Sequence, residues 1–221
     1  MDKRARAQAL ADQAAADGEP LRWFEEFYAE SEEDGVDVPW ADREPNPHLV
    51  SWAEERDLDG TDRLALVVGC GLGDDAEYLA GRGFNVVAFD LSETAVEKAK
   101  QRFPESEVEF LEADLFNLPG HWPKQFDFVL EIYTIQALPR DLRRQAIDVL
   151  PGLLADGGEL LVICHGKDED EPYGDLPYPL TKTDLDLFKE RDLSVSRLDD
   201  FFDDEDPPKR RFRALYKRQS G

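Results

Sequence analysis

From Leu64 to Asp90 the chain reads LALVVGCGLGDDAEYLAGRGFNVVAFD. An apolar run, Leu64 to Val68, breaks into Gly69-Cys70-Gly71-Leu72-Gly73. A helical pattern follows, with Ala76, Leu79 and Ala80 on one face, and a second apolar run, Phe84 to Phe89, ends on Asp90. The periodicity predicts a strand, a glycine turn, a helix and a second parallel strand. Glycine lets the backbone turn sharply and lets a ligand approach where a Cβ would collide. A carboxylate at the tip of the second strand is placed to accept hydrogen bonds from a ribose diol.

Three glycines alone fit any tight turn in an α/β protein, so their spacing carries the argument. A dinucleotide fingerprint is G-x-G-x-x-G and seats a pyrophosphate on the helix N-terminus. Here the pattern is G-x-G-x-G followed by Asp74 and Asp75, which sets two negative charges beside the amides and disfavours phosphate. A ligand with a ribose and a cationic group fits better, and S-adenosylmethionine (SAM) carries a sulfonium and an ammonium. The stretch VVGCGLGDDAEYLAGRGFNVVAFDLSETAVEKAK resembles the cofactor signature of class I SAM-dependent methyltransferases. The resemblance implies that Gly69, Cys70, Gly71, Gly73, Asp90 and Leu91 contact SAM and its product S-adenosylhomocysteine (SAH).

At 221 residues the chain has the length of one compact domain. Its apolar runs are far shorter than the roughly 20 residues of a membrane span, and no secretory leader is expected ahead of the first helix. A cytoplasmic location follows as an expectation. Cys70 and Cys164 end apolar strands without partners at zinc spacing and read as reduced core residues, and no metal site is expected. Fifty acids against 26 bases give a net charge of −24, a field that repels nucleic acid and anionic membrane. The acids, and arginines in excess of lysines, fit either a halophile's cytoplasm or an ordinary acidic protein.

N-terminal to the signature, Met1 to Asp17 is rich in helix formers and Gly18 to Pro20 stops it. Trp23, Phe24, Phe27 and Tyr28 then recur at helical spacing. They read either as an apolar face packed on the core or as a lid that excludes water from a site. Pro39, Pro45 and Pro47 place Trp40 in an extended or turning loop before a helix that includes Leu49, Val50, Trp52 and Ala53. The order of aromatic helix, W-x-x-x-x-P-N-P and glycine signature is similar to the thiopurine methyltransferase family and its halide and thiol methyltransferase relatives. ADLFNLPGHWPKQFDFVLEIYTIQALPRDLR and GDLPYPLTKTDLDLF resemble that family's later segments. The likeness adds Trp23 and Trp40 to the expected cofactor contacts.

Downstream, Ser92 is a candidate cap for a helix Glu93 to Arg102, and Val108 to Leu111 is a candidate third strand. Asp114 and Leu115, just past it, are placed to read adenine, the acid from the amino group and the neighbouring backbone from the ring nitrogens. Phe126 to Ile132 is a fourth strand, so Glu131, Ile132, Tyr133, Thr134 and Gln136 fall at the carboxyl ends of the strands, where doubly wound sheets bind ligands. Glu131 joins the cofactor contacts. Tyr133 is placed to steer or hydrogen-bond the substrate, and His165, at the exit of a fifth strand Glu159 to Cys164, is a candidate general base. Thiopurine-type relatives carry an acid followed by arginine where this chain has Glu131-Ile132, which implies a more apolar acceptor pocket. Tyr173, Leu176 and Tyr178 lie in an acidic, proline-rich loop suited to cover the acceptor. Pro139 to Leu150, and a segment from Thr181 to Glu190, read as helices. Val195 to Phe202 and Arg210 to Lys217 form a closing hairpin, which forces an antiparallel last strand.

The expected architecture is α/β and Rossmann-like: a seven-stranded, mainly parallel sheet in a three-layer sandwich, with 1–53 as a helical lid and 54–221 as the SAM-binding core of one domain. The expected reaction is methyl transfer to a small molecule by a monomer or homodimer, with no nucleic acid or membrane partner. A thiol, selenol or halide ionises readily and needs no buried base. An O- or N-methyltransferase, or a SAM-binding module without catalysis, are the alternatives.

Overall fold

The computed structural model describes residues 3–31, 38, 40, 43–172 and 174–219. Pro39, Tyr173 and the first residues of the expected N-terminal helix lie outside them. Among the described residues seven strands form one sheet in the order β3-β2-β1-β4-β5-β7-β6. They are β1 (Leu64–Val68), β2 (Asn85–Asp90), β3 (Glu109–Glu112), β4 (Phe126–Ile132), β5 (Leu154–His165), β6 (Leu193–Phe202) and β7 (Arg210–Arg218). The pairs β2 with β3, β1 with β4 and β4 with β5 are parallel, whereas β7 runs antiparallel to both β5 and β6. This is the Rossmann-like arrangement expected from the sequence, closed by the hairpin. The chain divides into two compact units, 1–62 with 69–114 and 63–68 with 115–221.

The first unit holds β2, β3 and the helices α1 (Lys3–Ala16), α2 (Arg22–Glu30), α3 (Pro47–Glu55), α4 (Asp74–Gly81) and α5 (Glu93–Arg102). Local signals set their ends. Gly18, at φ +80°, follows α1. The Asn46 side chain accepts from the His48 amide while Pro47 takes the first turn of α3, where a missing N–H costs nothing. Ser92 Oγ accepts from the Ala95 amide at 3.0 Å and caps α5, whose last turn carries Lys100 and Arg102 against the negative end of the helix dipole. α2 buries Trp23, Phe27 and Tyr28 on one face. Each such side chain contributes about 1.5–3 kcal/mol when fully buried, so the aromatic periodicity marks a packed face.

The second unit holds β1, β4 to β7, α6 (Arg140–Val149) and α7 (Lys182–Asp186). Several elements differ from expectation, among them the closing hairpin, which starts at Leu193 and ends at Arg218. β5 starts at Leu154, five residues before the expected Glu159, and carries Asp156-Gly157-Gly158 inside it. The pairing of β4 with β5 slips between Phe126 and Phe128, and a Cβ on Gly158 would stand 2.8 Å from the Phe126 carbonyl oxygen. The turn residues therefore serve a close backbone approach within an irregular strand. The expected helix from Thr181 to Glu190 is α7 followed by a 3₁₀ segment, Leu187–Arg191. A capping box between Thr181 and Asp184 starts it. Likewise the helix expected to Leu150 ends at Val149 and passes into a 3₁₀ turn at Pro151.

Candidate functional site

In the first unit the site is built from backbone. Gly69, Gly71 and Gly73 have φ of +62°, +52° and +91°, the left-handed region open to glycine. Gly71 and Gly73 are also confined by space. A Cβ on Gly71 would lie 2.9 Å from the Tyr28 hydroxyl oxygen, and one on Gly73 would lie 2.9 Å from the Phe110 ring. The turn is tied to the end of β2, because the Cys70 amide donates to the Phe89 carbonyl at 2.9 Å. The Gly71 amide donates to Asp90 Oδ2 at 2.9 Å, and the Ser92 amide to Asp90 Oδ1 at 3.0 Å.

Each Asp90 oxygen thus already holds one backbone N–H. A carboxylate offers about four lone-pair sites, and with the Leu91 amide also acting on this carboxyl acceptor capacity remains for a ligand hydroxyl. Asp90 is buried, which pushes its carboxyl pKa up, although the backbone amides oppose the shift. Cys70 is free and half-buried, and desolvation holds its thiol far above the usual range. Leu91 and Asp114 are half-buried after β2 and β3, and the Ala113 amide donates to the Asp90 carbonyl at 2.9 Å.

The charges at the start of α4 are not those the sequence suggests. Arg102, on α5, binds both oxygens of Asp74 at 2.7 Å and also donates to the Leu72 carbonyl. Asp75 accepts from the Asn46 amide at 2.7 Å, and burial pushes its pKa up to about 6. One acid is neutralised by a bidentate guanidinium and the other is buried, so the repulsion of phosphate is weaker than two free carboxylates would give.

Trp23 and Trp40 belong to one aromatic cluster. The Trp40 ring lies 5.9 Å from Trp23, 4.9 Å from Phe27 and 6.1 Å from Tyr28, and its indole N–H donates to the Tyr28 hydroxyl at 3.0 Å. Trp23 is buried, while Trp40 is 38% exposed. Two charged side chains fasten α2 to α5. Glu25 accepts from the Ser92 and Thr94 hydroxyls and the Thr94 amide. Lys98 donates to the Tyr28 and Ser31 carbonyls and to Ser31 Oγ.

In the second unit the site is built from side chains on the strand ends. Glu131, at the end of β4, is fully buried; its Oε1 accepts from the Ile135 amide at 2.9 Å and its Oε2 has no partner. Burial pushes its pKa up to about 7. Tyr133 follows at φ +64°, unusual for an aromatic residue, with its amide donating to the Ile163 carbonyl. The Thr134 hydroxyl donates to the Val68 carbonyl. Tyr133 and His165 meet edge to face, ring centres 5.4 Å apart at 88°. Gln136 joins the surrounding loops: its Oε1 accepts from the His165 amide at 2.6 Å and its carbonyl from the Tyr178 amide at 2.8 Å. Leu115 is buried in this unit.

One cation here is absent from the sequence reading. The Arg211 guanidinium, from β7, stands 5.3 Å from the centre of the Tyr133 ring. The surroundings of Tyr133 therefore include a cation that Glu131-Ile132 does not announce. The signal was present in the arginine-rich Arg210-Arg211-Phe212-Arg213, but only the register that opposes His165 to Arg211 places it. A groove of about 560 Å³ between α6 and α7 is lined by none of the expected site residues. Among the described residues no three His, Cys, Asp or Glu side chains are grouped to hold a metal, and no helix is long and apolar enough to cross a membrane.

Comparison with known proteins agrees with this geometry. Among curated proteins the chain is 28% identical over 150 residues to the 2-heptyl-1-hydroxyquinolin-4(1H)-one methyltransferase of Mycobacteroides abscessus, covering 66% of this chain and 64% of that protein. It is 30% identical to the probable thiol methyltransferase 2 of Arabidopsis thaliana, over 65% of this chain and 63% of the relative. The chain thus spans less than two thirds of the length of either relative. Among solved structures, one described for conversion of a disulfide bond into a thioacetal group during echinomycin biosynthesis superposes with a TM-score of 0.73 at 20% identity, over 90% of this chain and 91% of that one. The N-methyltransferase NodS of Bradyrhizobium japonicum, solved with SAH, gives 0.67 at 20% identity, over 84% and 94%. Residues 65–158 match a methyltransferase domain, carried on the class I methyltransferase fold.

Proposed function

We propose that the chain is a SAM-dependent methyltransferase that modifies a small molecule, with a soft nucleophile (thiol, selenol or halide) as acceptor. The observation that carries the donor is Asp90, whose carboxylate is fixed by the Gly71 and Ser92 amides and keeps lone pairs for a ribose diol. SAM, when bound, supplies an electrophilic methyl group on a sulfonium. Around it, the chain's own groups bind and orient. The glycine turn gives backbone clearance, Asp90 fixes the ribose, Asp114 and Leu115 read adenine, and Trp23 and Trp40 cover the donor. Tyr133 and His165 contact the acceptor.

The transfer breaks the methyl–sulfonium bond as the acceptor's lone pair forms the new one, leaving SAH. Alignment and exclusion of water are the main requirements. A thiolate reaches this step already deprotonated, so His165 orients it and need not remove a proton. The likeness to a probable thiol methyltransferase and to a probable thiopurine S-methyltransferase of Yarrowia lipolytica supports the choice of acceptor. The expected setting is the cytoplasm, with no nucleic acid or membrane partner, in keeping with the net charge of −24.

Calorimetric titration with SAM, SAH and NAD tests the donor. Micromolar binding of the first two and none of NAD is the expected result; NAD binding, or no adenosyl ligand, would sink the reading. Turnover of thiols with SAM, compared between wild type and His165→Ala, tests the acceptor. A small rate loss fits a soft nucleophile, and a loss of ~100-fold or more, the scale of general-base catalysis, would point to O- or N-methylation instead.

A further inference from the structure

Arg211 on β7 is the register partner of His165 on β5. Directly opposed residues of an antiparallel pair present their side chains on the same face of the sheet. The Tyr133 ring packs edge to face with His165, and the guanidinium of Arg211 stands over that ring. Two of its nitrogens are committed. Nε donates to Asp203 Oδ2 at 2.6 Å, and Nη2 donates to Glu205. Nη1 is buried and has no hydrogen-bond partner, in a side chain only 4% exposed. A guanidinium carries five N–H donors in a rigid fork, and leaving a buried donor unmet is costly. Asp203 and Glu205 together outweigh the single positive charge. The cluster therefore offers a directed donor and no net attraction for anions.

We propose that Arg211 determines acceptor specificity: its Nη1 donates to an oxygen of the methyl acceptor, so the preferred acceptors carry a carbonyl or N-oxide oxygen beside the atom that is methylated. This rests on the methyltransferase reading for the identity of the molecule bound beside Tyr133 and His165. Asp203 holds the fork through Nε, and the Glu205 carboxylate on Nη2 offsets part of its charge.

The test is calorimetric binding of 2-mercaptopyridine N-oxide and 2-mercaptopyridine, a pair differing by one oxygen, with and without SAH. Wild type is expected to bind the N-oxide at least ~10-fold more tightly, the scale of one hydrogen bond to a charged group. Arg211→Met is expected to bring the ratio to near one. Glu205→Gln keeps the arginine, removes the offsetting carboxylate and is expected to raise the ratio. A wild-type ratio near one, or a ratio unchanged in Arg211→Met, overturns the proposal. Should Arg211→Met fail to fold, an unchanged or lowered ratio in Glu205→Gln overturns it instead. Absence of SAH binding would sink the methyltransferase reading alone, because the ratio measured without SAH still judges Arg211. Conversely, SAH binding with a ratio of one sinks only the role of Arg211.

Discussion

The first unit holds its candidate ligand groups close together in sequence, on the glycine turn and at the end of β2, and positions them by backbone: Asp90 is fixed by two amides, and Gly71 is shaped to leave room under Tyr28. The second unit draws Tyr133, His165 and Arg211 from β4, β5 and β7 and holds them by ring contacts and ion pairs. Backbone geometry tolerates little variation, whereas side chains on strand ends can be exchanged without altering the ladder beneath them. Under the proposed function, the first unit would hold the invariant methyl donor and the second the variable acceptor.

Substitutions at Asp90 break that contrast most severely. Asp90→Ala removes both amide acceptors and the expected diol contact, and SAH affinity is expected to fall ~100-fold or more, since each hydrogen bond to a charged group is worth roughly 1.5–3 kcal/mol. Calorimetry on a variant shown to be folded by circular dichroism checks this. An affinity within a few-fold of wild type would remove Asp90 from the site.

Gly71→Ala should be next in size. Its Cβ meets the Tyr28 hydroxyl at 2.9 Å at a positive φ, and strain of this type costs of order 1–3 kcal/mol. Denaturant unfolding is expected to show that loss, and Tyr28→Phe in the same chain should return part of it. No recovery would mean that φ alone sets the cost.

The two buried acids sharpen the comparison through pH. Glu131 is raised from 4.5 to about 7 and Asp75 from 3.8 to about 6, both by burial. An acid whose folded pKa is raised holds its proton in the folded state while the unfolded chain has released it. Stability therefore falls as pH rises from 4.5 to about 7 for Glu131, and from 3.8 to about 6 for Asp75, and is level above. Glu131→Gln is expected to stabilise the protein at pH 8 by about 1–3 kcal/mol and to flatten the upper window, whereas Asp75→Asn flattens only the lower one. Unfolding curves between pH 4 and 8 decide; an unchanged slope in Glu131→Gln would show that its carboxyl ionises as in water.

The smallest effect is expected at Glu25→Gln, which keeps the shape of the contact between α2 and α5 and weakens its charge-assisted bonds to Ser92 and Thr94. A cost of about 1 kcal/mol is expected. Faster amide exchange in α2, with α3 unchanged, would locate the loss in the fastening of the aromatic helix.

Legibility in the sequence follows the distance over which each interaction acts. The glycine turn and the cap at Ser92 depend on neighbours a few residues away and were readable as written, whereas the Asn46 cap of α3 is equally local and was passed over. The strands ending at Asp90 and Ile132 were readable because predominantly apolar runs mark buried parallel strands, even with Asp127 and Glu131 inside the second. The pairing of Arg102 with Asp74 was not, and it changes the charge of the helix start on which the argument against phosphate leaned. The place of Arg211 was hidden too: a row of arginines on a strand shows alternation but not its partners. Similarly, the length of β5 depended on a slip against β4 that turn residues alone do not announce.

The sequence by itself thus determined the order of elements, the glycine turn, the acid that ends β2 and the antiparallel close of the sheet, because these arise from chain-local sterics and from hydrophobic periodicity. Tertiary structure decided which charges are neutralised, which carboxyls are buried far enough to keep a proton near neutral pH, and which cation stands beside Tyr133. Those properties depend on desolvation and on partners remote in the chain, and both exist only once the strands are in register.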